Sequence, residues 1–130
     1  MDDQAAQIVT SDEIEELLRQ GREEEIRAIL TDVHPADIAD ILDQLPPIDA
    51  VEIFRLLPVE TASEVLDETG SLVRQELVEQ VDEEQLADLL DELPMDDAAE
   101  FLEDLPDPKA DRILALMEDE EAEEVRELLS

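Results

Sequence analysis

The strongest constraint on how this chain folds is a twelve-residue period. The stretch DEEQLADLLDELPMDDAAEFLEDLP (82–106) contains one phrase twice. Leu86, Leu89, Leu90 and Leu93 precede Pro94; Ala98, Phe101, Leu102 and Leu105 precede Pro106. Apolar residues at i, i+3, i+4 and i+7 form one stripe along a helix. Proline has no N–H to donate and its ring clashes with the preceding turn, so each phrase predicts a helix of about two to three turns stopped by its proline. The same period runs along the chain, with units starting at Ile14, Ile26, Ile38, Ala50, Ala62, Arg74, Leu86, Ala98, Ala110 and Ala122. Arg74 alone puts a charge at the first position. Gly21 and Arg126 interrupt the stripe in the two terminal units. Ten units hold register without an insertion. Repetition of this kind sets the fold class before any single residue does.

The expected architecture is all-α: a right-handed superhelix, or solenoid, of about ten short helices in a twelve-residue helix-turn register. Helices of about nine residues are not stable alone and must bury their stripes on neighbours. Linkers of about two to four residues make consecutive helices turn back or cross sharply, so pairs of about 24 residues stack as a superhelix. Residues 1–9 are expected to be a flexible start and 10–130 the helical domain. Thr10 with Glu13 predicts a capping box before the first helix, and Gly21 suits its end. His34-Pro35 predicts a helix start with proline at the first helical position. Ser71 is expected to cap the sixth helix, and Asp82 with Gln85 offers a capping box to the seventh. Asp96 is expected to start the eighth helix and Asp107-Pro108 the ninth. The predicted core includes Ile38, Ile41, Leu42, Leu45, Leu86, Leu89, Leu90, Leu93, Phe101 and Leu102. Aromatics make up only 2% of the chain, so this core is aliphatic.

Charge narrows the function classes. Asp plus Glu number 41 against 8 Lys plus Arg, a formal net charge of −33. Nucleic acid and anionic membrane surfaces would be repelled. Such acidity has three readings: disorder, which the regular apolar phrases oppose; a solvated surface suited to a very salty cytoplasm, which the single lysine, Lys109, fits; or a surface that collects divalent cations. Position three of the unit is acidic in eight of ten units: Glu16, Asp40, Glu52, Glu64, Glu76, Asp88, Glu100 and Glu124. At 100° per residue it lies roughly 150° from the centre of the stripe, so the carboxylates point outward. Asp96 and Glu100 share a face, with Glu103 and Asp104 a turn further on; Glu60, Glu64, Asp67 and Glu68 do the same in the fifth unit. Like charges at i,i+4 cost a few tenths of a kcal/mol each, and a hard divalent cation would reverse that cost. For any one of these acids a solvated helix face is the better explanation. Acids in a first turn, such as Asp82, Glu83, Asp96 and Asp97, also suit the helix dipole. No calcium loop of the DxDxDG kind is present. Magnesium, which keeps several waters, fits an open carboxylate surface better than a closed cage does.

Signals for catalysis are poor. His34 is the only histidine, there is no Cys or Tyr, and the only glycines are Gly21 and Gly70. Phosphate-binding loops and histidine-based metal sites do not fit, so the chain is not expected to be an enzyme. No apolar run approaches the ~20 residues needed to span a bilayer, and the chain as it stands is expected to be soluble.

The segments HPADIADILDQLP (34–46) and LLPVETASEVL (56–66), with the repeated LxDLP endings, resemble the intracellular N-terminal domain of MgtE-type magnesium channels and transporters. The resemblance extends over about residues 10–129. It implies a superhelix of short helices that in the whole protein is followed by paired CBS modules and a dimeric transmembrane pore. The function it implies is cytosolic magnesium sensing at the membrane's cytoplasmic side: Mg2+ bound between this domain and the CBS modules favours the closed channel. It also implies metal ligands. An AxEV segment matches Ala62-Ser63-Glu64-Val65 and points to Glu64. A DDLAD-like segment matches Asp96-Asp97-Ala98-Ala99-Glu100 and points to Asp96 and Glu100, with Glu in place of Asp at 100. Asp88, in the LADLL of the preceding unit, matches that segment as well. The competing reading is an acidic protein–protein adaptor, similar to a flagellar motor-switch scaffold with a halophilic surface.

Overall fold

The computed structural model describes residues 9–129. The expected flexible start, 1–9, therefore lies outside the described residues except for Val9. Among the described residues there are ten helices and no strand. They are α1 Ser11–Arg19, α2 Glu23–Thr31, α3 Pro35–Asp43, α4 Pro47–Phe54, α5 Val59–Glu68, α6 Ser71–Gln80, α7 Glu83–Asp91, α8 Met95–Glu103, α9 Asp107–Leu116 and α10 Asp119–Leu129. Each corresponds to one twelve-residue unit.

Local chemistry explains the helix ends. The Thr10 hydroxyl accepts the Glu13 N–H at 3.2 Å while the Glu13 carboxylate accepts the Thr10 N–H, which forms the expected capping box. After α1, Gly21 at φ +72° donates to the Leu18 carbonyl and Arg22 donates to that of Leu17, a left-handed glycine stop. His34 caps α3 by accepting the Ala36 N–H on Nδ1 at 3.1 Å, with Pro35 at the first helical position.

The prolines act differently from the expected hard stop. Helices α7 and α8 end at Asp91 and Glu103, three residues before Pro94 and Pro106, and each proline is the N-cap of the following helix. Proline bars its predecessor from the α region, so the previous helix must end early; the cap position itself needs extended backbone, which proline readily takes. Helix α8 consequently begins at Met95 rather than Asp96.

Two expected side-chain caps do not form. Asp82 makes no capping hydrogen bond, and the N-cap of α6 is Gly70 rather than Ser71. The Gly70 N–H is instead capped from a distance by the Asp43 carboxylate at the end of α3, at 3.0 and 3.1 Å. The Asp91 carboxylate does the same for the Glu118 N–H before α10, at 3.2 and 3.3 Å. Gly70 has no positive φ. Its bare Cα matters for approach, since a Cβ there would sit 3.4 Å from both Asp43 oxygens.

Packing follows the period. Helices two apart in sequence stack: α3 on α5, α5 on α7, α7 on α9, and likewise α4 on α6 and α8 on α10. Consecutive helices join the two rows, as α1 with α2, α3 with α4 and α7 with α8. The result is a superhelix advancing by pairs. All ten predicted core residues are buried. The single-stripe picture is incomplete, however. Position two of the unit is also buried in five helices, at Ala39, Val51, Ser63, Ala87 and Ala99. These helices are covered on a second side, and four of those five residues are no larger than alanine or serine. In the terminal units position two is Glu15, Arg27, Asp111 and Glu123, and no neighbour buries it.

Candidate functional site

The outward carboxylates stand where the period puts them. Glu16, Asp40, Glu52, Glu64, Asp88, Glu100 and Glu124 are exposed and Glu76 is half-buried. Among the described residues no three Asp, Glu or His side chains come close enough to hold a metal ion by themselves. The three predicted ligands therefore do not form a cage. Glu64 is exposed on α5 and bonds to no described residue. Asp96 is exposed at the start of α8, and its Oδ1 accepts the Asp97 N–H at 3.1 Å. Glu100 lies one turn further along the same face.

The charges of Glu100 and Asp97 act instead on Asp67. Asp67 is half-buried at the end of α5. Burial pushes its carboxyl above the ordinary value, Asp97 adds to the rise, and Glu68 and Glu100 push the same way; Arg74 is the one cation that opposes them. A carboxylate under that field gains from any cation that can approach it. Hard oxygen donors on an open surface suit a divalent ion that keeps part of its water shell.

Asp67 and Asp97 were not among the predicted ligands, yet the sequence carried a signal for Asp67. Asp43, Asp67 and Asp91 recur every 24 residues at position six of the unit. Asp43 and Asp91 cap the N–H groups of Gly70 and Glu118. The residue midway between those two donors is Pro94, which has no N–H. Asp67 is thus the member of the series without a backbone donor to cap.

One carboxylate elsewhere is balanced by cations across helices. Glu83 at the start of α7 pairs with Arg112 on α9 at 2.9–3.1 Å and with Lys109 at 3.4 Å. The Arg112 hydrogen bond holds the Glu83 carboxyl below its ordinary value. Asp91 goes the other way: burial raises it, although the Glu118 N–H opposes that shift.

Fold and surface together define a class, an acidic all-helical repeat domain with no helix among the described residues long and apolar enough to cross a membrane. Residues 33–130 match the family model of the MgtE intracellular N domain, and the chain belongs to that family. The fold is that of a solved relative, the cytosolic domain of the Mg2+ channel MgtE, crystallised in complex with ATP. The two superpose with a TM-score of 0.79 at 25% identity, over 92% of this chain and 49% of the other. The chain thus spans about half the length of that structure. A search of curated proteins gave no match.

Proposed function

We propose that this chain is the regulatory, magnesium-sensing domain of a magnesium channel or transporter, acting on the cytoplasmic side of the membrane, with a binding rather than a catalytic role. Family membership carries this reading, and the carboxylates gathered at the end of α5 and along α8 support it. In the proposed arrangement Glu64, Asp96 and Glu100, with Asp67 and Asp97 beside them, supply part of the coordination of Mg2+. CBS modules of the same full-length protein supply the rest, and the full-length protein works as a homodimer around a transmembrane pore.

The mechanism follows from charge. A surface at −33 facing other carboxylates repels them. Divalent ions between the two surfaces turn repulsion into a bridge and favour the docked, closed arrangement; loss of the ions frees the domain. A nucleoside triphosphate fits the same surface poorly, because its own charge is negative.

The test belongs in the full-length protein. Glu64→Gln, Asp96→Asn and Glu100→Gln combined should raise the magnesium concentration that half-closes the channel by about fivefold or more, the lower end of ordinary coupling energies. Ion flux into vesicles reads this directly. Unaltered magnesium sensitivity would remove these carboxylates from the sensor.

A further inference from the structure

The first position of the unit is apolar in nine of ten units and arginine in the sixth. Arg74 is half-buried on α6. Its guanidinium carbon lies 5.4 Å from the centre of the Phe101 ring on α8. Nη2 donates to the Asp67 carbonyl at 2.8 Å, Nε is buried without a partner, and Nη1 bonds to no described residue. An arginine held against a ring and a carbonyl is pre-organised, so it loses little freedom when it binds a planar anion.

This irregularity coincides with a gap in the packing. Helices α4 and α6 stack, as do α8 and α10, but α6 and α8 pack more sparsely than either pair, with Arg74 reaching across to Phe101. A cleft of about 670 Å3 opens beside them, within the usual range for small-molecule sites. Val78, Phe101 and Leu105 give it an apolar floor, and Ser71, Arg74 and Gln75 line one wall. The Ser71 and Gln75 side chains bond to no described residue.

We propose that this cleft binds a small organic acid carrying a single negative charge, with its carboxylate on Arg74 and its apolar body on Phe101, Val78 and Leu105. The charges around it define the class. Arg74 disfavours a cation. Lys109, the other cation at the cleft, is already held by Glu83 at 3.4 Å. Glu79 and Asp104 also line the cleft and oppose ligands of higher negative charge, as does the charge of the whole chain. An apolar floor gives an inorganic anion nothing beyond its charge. This proposal stands apart from magnesium sensing, and neither fails with the other.

The full chain is titrated with benzoate, acetate and inorganic phosphate at constant ionic strength, followed by amide chemical shifts. Benzoate should saturate with shifts centred on α6 and α8, and acetate and phosphate should bind about tenfold more weakly or less. Arg74→Leu restores the apolar first position and should fold, yet bind benzoate at least about tenfold more weakly. Gln75→Trp, an exposed substitution that fills the cleft without touching the core, should abolish binding whether or not Arg74→Leu folds. Benzoate shifts that never saturate, phosphate binding as tight as benzoate, or undiminished binding by either variant would overturn the proposal.

Discussion

Magnesium chloride should raise the melting temperature of this chain more than sodium chloride does at equal ionic strength. Asp67 faces Asp97, Glu68 and Glu100 with only Arg74 in opposition. This like-charge field counts against the folded state. Sodium relieves part of this by screening, with a Debye length near 10 Å at about 0.1 M, and magnesium at matched ionic strength screens equally. Only coordination separates the two salts. Without carboxylates from a partner module the affinity should be roughly millimolar, about −4 kcal/mol. Magnesium at about ten times that dissociation constant adds about 1.4 kcal/mol per site. For a domain of this size that is a rise of about 4–7 °C beyond sodium, measured by calorimetry or circular dichroism. The variant combining Asp67→Asn, Asp97→Asn and Glu100→Gln should melt higher than the parent at low salt, because the repulsion is gone. It should respond to sodium as before and lose the extra magnesium increment. Sodium matching magnesium in the parent chain, or an undiminished magnesium increment in the variant, would refute the reasoning and leave the acidity as solvation.

Two further outcomes test the fold and the local fields. Leu90, fully buried in α7, should cost about 2–5 kcal/mol when replaced by alanine, a large part of such a domain's stability, whereas Leu128→Ala at an exposed position should change it by less than about 0.5 kcal/mol; equal effects in chemical denaturation would contradict the packing. Asp67 and Glu83 should titrate in opposite directions from their ordinary values of 3.8 and 4.5. The raised Asp67 carboxyl binds its proton more tightly in the folded state, so its contribution to stability is full below the unfolded value and is lost as pH rises through the folded one. The lowered Glu83 carboxyl contributes above its unfolded value, and that is lost as pH falls through the folded one. Carbon-detected NMR of the carboxyl groups should show both shifts, and Asp67 titrating below its ordinary value or Glu83 above its own would contradict the assignment.

The fold was legible because its information is local. A stripe at i, i+3, i+4 and i+7 with a proline nearby specifies a short helix wherever it occurs, and ten copies in register specify stacking. The illegible parts depend on contacts far apart in sequence. No local pattern shows that Asp43 caps Gly70, since the partners are 27 residues apart and meet only after the helices stack. Ser71 and Asp82 were each a plausible cap in isolation.

The candidate site follows the same logic one level up. Glu64 and Glu100 share an outward position with other acids, so the period alone could not rank them above Asp40 or Asp88. Asp67 is distinguished by a departure from the period: Pro94 stands where its neighbours in the series find an N–H. Arg74 departs from it as well, and its carbonyl contact to Asp67 and its place on Phe101 join the carboxylate group to the cleft. What the units share builds the superhelix, because each shared residue buries or solvates the same face. What single units change produces a local field or a gap, because the neighbouring helices are already fixed and cannot move to absorb it. Searching a repeat chain for the positions that break its own rule, and then for what the rule would have placed beside them, is therefore the physical route from such a sequence to its sites.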